Sequence, residues 1–213
     1  GSLVTLSVKG NTALEFTLGS TNGLGQQMGA DLDSNGYQRL GHSSTSFSSI
    51  FYTEESSTGF TTTTVLQSID LLYPIQMHVD STDTSHMVYV DDDDNMVRLN
   101  TLNGTWTETS ILNTTLGDDF DSTLGSDDEL IFAQIAVSNN LTVLQVVEYQ
   151  NNSTTITDVT TANISSSFEI ESSDDGLVIA MMDSDKLKVL EKSNNGTWNL
   201  SAEYWLYGET EGH

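Results

Sequence analysis

The sequence predicts an all-β protein, a β-propeller-like array of four-stranded blades of about 46 residues each. Three observations predict it. Asn103-Gly104-Thr105-Trp106 returns 92 residues later as Asn195-Gly196-Thr197-Trp198, each copy lying between two apolar-patterned runs. Asn-Gly in that setting is a strong short-range hairpin signal, because both residues tolerate positive φ. The loop Ser126-Asp127-Asp128-Glu129-Leu130 recurs at a spacing of 47 as Ser173-Asp174-Asp175-Gly176-Leu177, and Phe60 stands 46 residues before Trp106. Finally, β-branched residues abound and no apolar set is sustained at i, i+3, i+4, i+7, which disfavours helix. A β-sandwich of similar strand spacing is the alternative architecture.

In chain order, residues 3–18 read as a partial-blade hairpin. Val4, Leu6 and Val8 alternate, then Leu14, Phe16 and Leu18, around the turn Lys9-Gly10-Asn11. A Gly-rich connection follows over 19–26. Unit 1 covers 27–67, with the loop Asp31 to Gly36, a run from Phe47 to Tyr52, and the turn Ser56-Ser57-Thr58-Gly59 before Phe60. Unit 2 covers 74–113: Ile75, Met77 and Val79 alternate, and Met87-Val88-Tyr89-Val90 is a continuous apolar strand, as suits one covered on both faces. Unit 3, 119–160, is more diverged and replaces the Asn-Gly-Thr turn by Asn152-Ser153-Thr154. Unit 4, 167–206, runs through Phe168, Ile170, Leu177 to Met182 and Trp198 to Leu206. The whole reads as a single all-β domain over 1–213, cut from a larger exported protein, with Gly1-Ser2 as a cloning remnant. Four blades and a half-blade leave the 3–18 hairpin to be completed elsewhere or to pair with another chain.

Thirty-one acidic residues against six basic ones give a formal charge of -25. Such a field repels phosphate backbones and anionic lipid, so nucleic-acid and membrane-surface roles are disfavoured. No apolar run approaches the roughly 18 residues of a membrane span. There is no cysteine, hence no disulfide or thiol chemistry. Eight Asn-x-Ser/Thr sequons, at Asn103, Asn113, Asn140, Asn151, Asn152, Asn163, Asn195 and Asn199, point to an extracellular or cell-surface glycoprotein.

The main candidate site is Asp31-Leu32-Asp33-Ser34-Asn35-Gly36-Tyr37. Oxygen donors at positions 1, 3 and 5, Gly at 6 and a carbonyl at 7 are the pattern that wraps a calcium ion. The expected metal ligands are Asp31, Asp33, Asn35 and Tyr37. The other reading is an Asx-turn loop in which the acids cap their own backbone. With Ala30 and Leu40-Gly41, residues 29–42 resemble the calcium loops of FG-GAP and VCBS repeats of integrin-like β-propellers. That resemblance implies a calcium cofactor and a recognition or adhesion role. Family loops usually carry a further carboxylate at the ninth position, where this chain has Arg39.

Other acidic stretches, Asp80-Ser81-Thr82-Asp83, Asp91 to Asp94, Asp118-Asp119-Phe120-Asp121 and Asp174-Asp175, lack the alternate spacing with Gly and read mainly as solvated turns. The Asn-Gly-Thr-Trp turn resembles that of sialidase-type Asp-boxes in joining the last two strands of a blade. The box places Trp three residues after Gly, against two here, so Trp106 and Trp198 are expected to pack blade on blade. Arg39 and Arg98 are the only arginines, too few for the cluster a sialidase uses on its substrate carboxylate. No nucleophile elbow or phosphate-binding loop occurs. The expected function is therefore a non-enzymatic recognition or adhesion module with a protein or glycan ligand. The alternatives are a structural subunit of a surface layer or filament, assembled through the N-terminal hairpin, or a glycan-active enzyme on the same scaffold.

Overall fold

The computed structural model describes residues 2–8, 12–18, 24–44, 46, 48–72, 74–113, 120–138, 141–161, 167–173, 176–183, 185–193 and 196–205. Among these there are strands and turns and no helix. Four four-stranded antiparallel sheets and one two-stranded hairpin are formed, each sheet from four consecutive strands. The chain divides into two compact units, Gly1–Asp93 with Asn100–Thr107, and Asp94–Leu99 with Glu108–His213.

In the first unit, β1 (Ser2–Val8) and β2 (Thr12–Leu18) pair with Val4 opposite Phe16 and Leu6 opposite Leu14. The expected turn at Lys9-Gly10-Asn11 lies outside the described residues, as does Phe47. The first sheet holds β3 (Leu24–Leu32), β4 (Gln38–Ser44), β5 (Ser49–Ser56) and β6 (Gly59–Gln67) in that order. The second holds β7 (Gln76–Val79), β8 (Ser85–Asp91), β9 (Met96–Asn103) and β10 (Thr105–Asn113), and the division between units falls within its last two strands. Sequence alternation explains which face is buried. Ile50 and Tyr52 of β5 meet Ile75, Met77, Met87 and Tyr89 in one core, with Trp106 packed at its margin. Trp106 meets the Tyr52 ring edge-on at 5.0 Å, and the Tyr52 hydroxyl hydrogen-bonds Ser85 at 2.9 Å, so a polar tie runs inside an apolar contact. Met87 to Val90 are all fully buried, which accounts for the unbroken apolar run of β8.

The second unit repeats the plan. One sheet holds β11 (Phe120–Leu124), β12 (Leu130–Ser138), β13 (Leu141–Gln150) and β14 (Ser153–Thr161). The other holds β15 (Phe168–Ser173), β16 (Gly176–Asp183), β17 (Lys186–Lys192) and β18 (Trp198–Trp205). Ile131, Ala133, Leu144 and Val146 of the one face Phe168, Ile170, Ile179 and Met181 of the other, and Trp198 packs beside them. Each large side chain fully buried in such a contact contributes about 1.5–3 kcal/mol.

One local feature protects these sheets. In the pairing of third and fourth strands a bulge recurs: Val65 in β6, Val159 in β14 and Ser201 in β18 are extra residues against their partners. Val65 and Val159 pack against the two cores, and the bulge twists an outer strand away from edge pairing. The turns differ from the expectation. Gly104 has φ +73°, but Asn103 is not in the positive-φ region, so Asn103-Gly104 is not a type I′ turn. Two consecutive positive φ values occur at Asn151 and Asn152, 52° and 59°, where the sequence shows no glycine. Asn accepts the left-handed region because its short amide hydrogen-bonds locally.

Backbones approach closely at Gly29 of β3. A Cβ there would meet the Ile75 carbonyl oxygen and lie 2.6 Å from the Met77 nitrogen. Gly29→Ala should therefore force the strands apart and lower stability by about 1–3 kcal/mol, read from the urea midpoint. An unchanged midpoint would show that β3 and β7 are not packed backbone to backbone.

Candidate functional site

Three of the loops that join first to second strands share one geometry. In the first, Asp33 N–H donates to the Tyr37 carbonyl at 2.9 Å and Gly36 N–H to the Asp33 carbonyl at 2.9 Å, with Gly36 at φ +79°. In the second, Asp80 N–H donates to Thr84 at 3.0 Å and Asp83 N–H to Asp80 at 3.0 Å, with Asp83 at φ +63°. The third has the same pair of bonds, from Gly125 to Glu129 and from Asp128 to Gly125. Positions 33, 80 and 125 are thus equivalent.

A carboxylate fills each loop. Asp33 Oδ1 accepts the N–H groups of Asn35 and Tyr37, both at 2.9 Å. Asp80 Oδ1 accepts those of Thr82 and Thr84, both at 2.9 Å. At Gly125 there is no side chain, and the carboxylate of Glu129 folds into the space a Cβ would take, its Oε2 accepting Asp127 N–H at 2.9 Å. The acid comes from the other end of the loop and accepts one of the equivalent N–H groups. This is the Asx-turn geometry that short acids favour in turns.

The second oxygen of each aspartate takes a base six residues on. Asp33 Oδ2 pairs with Arg39 at 2.5 Å, the Asp33 side chain being almost wholly buried. Arg39 also donates to the Glu55 carbonyl at 2.8 Å. Asp80 Oδ2 pairs with His86 Nε2 at 2.8 Å, and the other ring nitrogen meets the Thr101 hydroxyl at 3.1 Å. Burial opposes the charge on Asp80, but hydrogen bonds from His86, Thr82 and Thr84 outweigh it and hold the pKa below the ordinary value. Within the first unit the two tips are joined. Asp83 accepts both the hydroxyl and the N–H of Ser34 at 2.7 Å, and those bonds lower its pKa.

The four residues expected to ligate calcium are placed as follows. Asp31 Oδ1 accepts Leu32 N–H and Oδ2 accepts Val79 N–H of the neighbouring sheet, each at 2.8 Å. Asp33 is engaged by two N–H groups and Arg39, the Tyr37 carbonyl by Asp33 N–H, and Asn35 is exposed at the tip. The oxygens of Asp31, Asp33 and the Tyr37 carbonyl therefore face N–H groups and a guanidinium. Among the described residues no group of three or more His, Cys, Asp or Glu side chains is arranged to hold a metal. The loops at Asp118-Asp119 and Asp174-Asp175 lie outside the described residues. In the Asp91–Asp94 run, Asp94 pairs with Arg98 at 2.6 Å. Asp121 Oδ2 accepts Ile170 N–H at 2.8 Å, doing between β11 and β15 what Asp31 does between β3 and β7.

Sequence reasoning set the Asp80 to Asp83 loop beside the Asp31 loop but missed the residue-level match of Asp33 to Asp80 and the pairing of Asp80 with His86. The signal was an acid repeated at a spacing of 47 with a base six residues after each copy. No protein-family model matches this chain, and no curated protein matches it.

Removing the guanidinium should cost more than an exposed ion pair would. Arg39→Met leaves Asp33 buried with one oxygen bare and should destabilise by roughly 2–3 kcal/mol. Calcium at millimolar levels, and then chelator, should leave the wild-type thermal midpoint unchanged; a midpoint rising with calcium would mean that an ion displaces Arg39.

Histidine gives the pH dependence. Burial, with the neighbouring His86, pushes His78 down from 6.5 to about 4, and burial also lowers His42. A base with a lowered pKa binds fewer protons folded than unfolded, so stability falls as pH drops from 6.5 toward 4 and is fully present above 6.5. His78→Gln should flatten the denaturant midpoint across that window. An equally steep fall in the variant would assign the dependence to other groups.

Proposed function

We propose that this chain is a non-enzymatic recognition or adhesion module, working outside the cell or at its surface, in which the four sheets are blades of a β-propeller-like array. The observation that carries this reading is the joined pair of hairpin tips in the first unit. Ser34, Asn35, Ser81 and Thr82 are exposed there. They stand on loops closed by Asp33–Arg39 and Asp80–His86 and tied through Ser34–Asp83. A tip fixed before its ligand arrives loses little entropy on binding. Hydroxyls and amides so held suit a glycan or a polar protein surface. The loop works without a bound ion, because Arg39 supplies the positive charge.

Supporting this, the sequon asparagines Asn103, Asn113, Asn151, Asn152 and Asn199 are all exposed, where glycans could be carried. The groups best suited to catalysis are engaged in structure: His86 lies between Asp80 and Thr101, and His42 is buried against Phe51 and Thr53.

The test is binding of the labelled full chain to a glycan array and to intact cells. Saturable binding that Asn35→Ala and Thr82→Ala abolish, with the thermal midpoint kept, is the expected result. Binding indifferent to both substitutions, or turnover of glycoside substrates, would overturn the proposal.

A further inference from the structure

In the second unit, β11–β14 presents one face to β15–β18. On that face Ile131, Ala133, Leu144 and Val146 are buried. Two acids there hold the next sheet: Asp121 accepts Ile170 N–H at 2.8 Å, and Glu148 pairs with Lys192. Register transfers these positions to the following sheet. Ala133 lies opposite Asp121 and Val146, as Ala180 lies opposite Glu169 and Val189. Ile131 lies opposite Glu148, as Val178 lies opposite Glu191. Leu144 is opposite Ile135, as Leu187 is opposite Met182. The outward face of β15–β18 therefore repeats the docking face of β11–β14, acids included.

Burial is the difference. Ile131, Ala133, Leu144 and Val146 are at most 1% exposed, while Val178, Ala180, Leu187 and Val189 are only half-buried. Glu169 and Glu191 are exposed, Glu191 accepting a hydrogen bond from the Ser201 hydroxyl, and Tyr204 on the same face is 58% exposed.

We infer that the outward face of β15–β18 is a docking surface for another polypeptide carrying a sheet of this same repeat, with aliphatic side chains on its first two strands and a lysine or arginine to meet Glu191. Charge favours a different molecule over a second copy. Among the described residues every lysine and arginine already pairs with a carboxylate of its own chain: Arg39, Arg98, Lys186, Lys188 and Lys192. Two such faces brought together would also oppose glutamate to glutamate. The inference goes beyond the recognition role and stands on the sheet register alone.

The probe is a synthetic peptide of residues 168–192, the strands that dock on β11–β14, mixed with the full chain and followed through the Met182 methyl resonance. Saturable binding is expected, weakened roughly tenfold or more by Val189→Asp in the full chain, because an aspartate would have to be desolvated. Binding should also fall with Glu191→Gln and with added salt. No binding, or equal binding to Val189→Asp, would overturn the proposal. A second arm joins the peptide to the chain by a flexible linker, at an effective concentration on the order of millimolar. Docking seen only in that fused form would overturn the assignment to a separate molecule, and so would self-association of the unmixed chain through this face in sedimentation.

Discussion

A carboxylate on the first strand of one sheet accepting the first-strand N–H of the next holds the sheets of each unit together. Asp31 does this to Val79, and Asp121 to Ile170. A sheet-forming chain without helices must cover each apolar sheet face with another sheet. Where two sheets meet at their first strands, a stray backbone N–H in the seam would cost 1–3 kcal/mol unless something accepted it. An aspartate reaching across the seam satisfies that N–H and fixes the register of one sheet on the next. The close approach at Gly29, the edge-on Trp106–Tyr52 contact and the two cores follow from that placement.

The same economy explains the loops. The chain carries 31 acidic residues, and many are structural acceptors and not free surface charge. Asp33 and Asp80 close hairpins, and Glu129 closes a third from the opposite end. A basic side chain then pairs with each of the first two, Arg39 with Asp33 and His86 with Asp80. The carboxylates of Asp31 and Asp33 serve the backbone, accepting its N–H groups.

Strand positions were legible in the sequence because burial imposes a period of two, and β8 was legible as an unbroken run because both its faces are covered. Trp106 and Trp198, 92 residues apart, each pack against one of the two cores, as their apolar setting in the sequence led one to expect. Turn type was not legible. Asn103-Gly104 carries the strongest motif yet only Gly104 takes positive φ, while Asn151-Asn152 takes it twice. The candidate site was half legible: Asp33 and Arg39 were both visible, but a pairing across a hairpin is set by register, which a linear motif does not contain. The bond from Asp31 to Val79 spans 48 residues and needs the sheets in place before it can be seen.

Amide hydrogen exchange at Val79 and Ile170 tests the central claim most directly. If first-strand carboxylates hold the sheets together, both N–H groups should exchange only through global unfolding, among the slowest in the chain, and Asp31→Ala should release Val79 selectively. Exchange of Val79 and Ile170 at the rate of solvent-exposed amides without a hydrogen-bond partner would contradict the account.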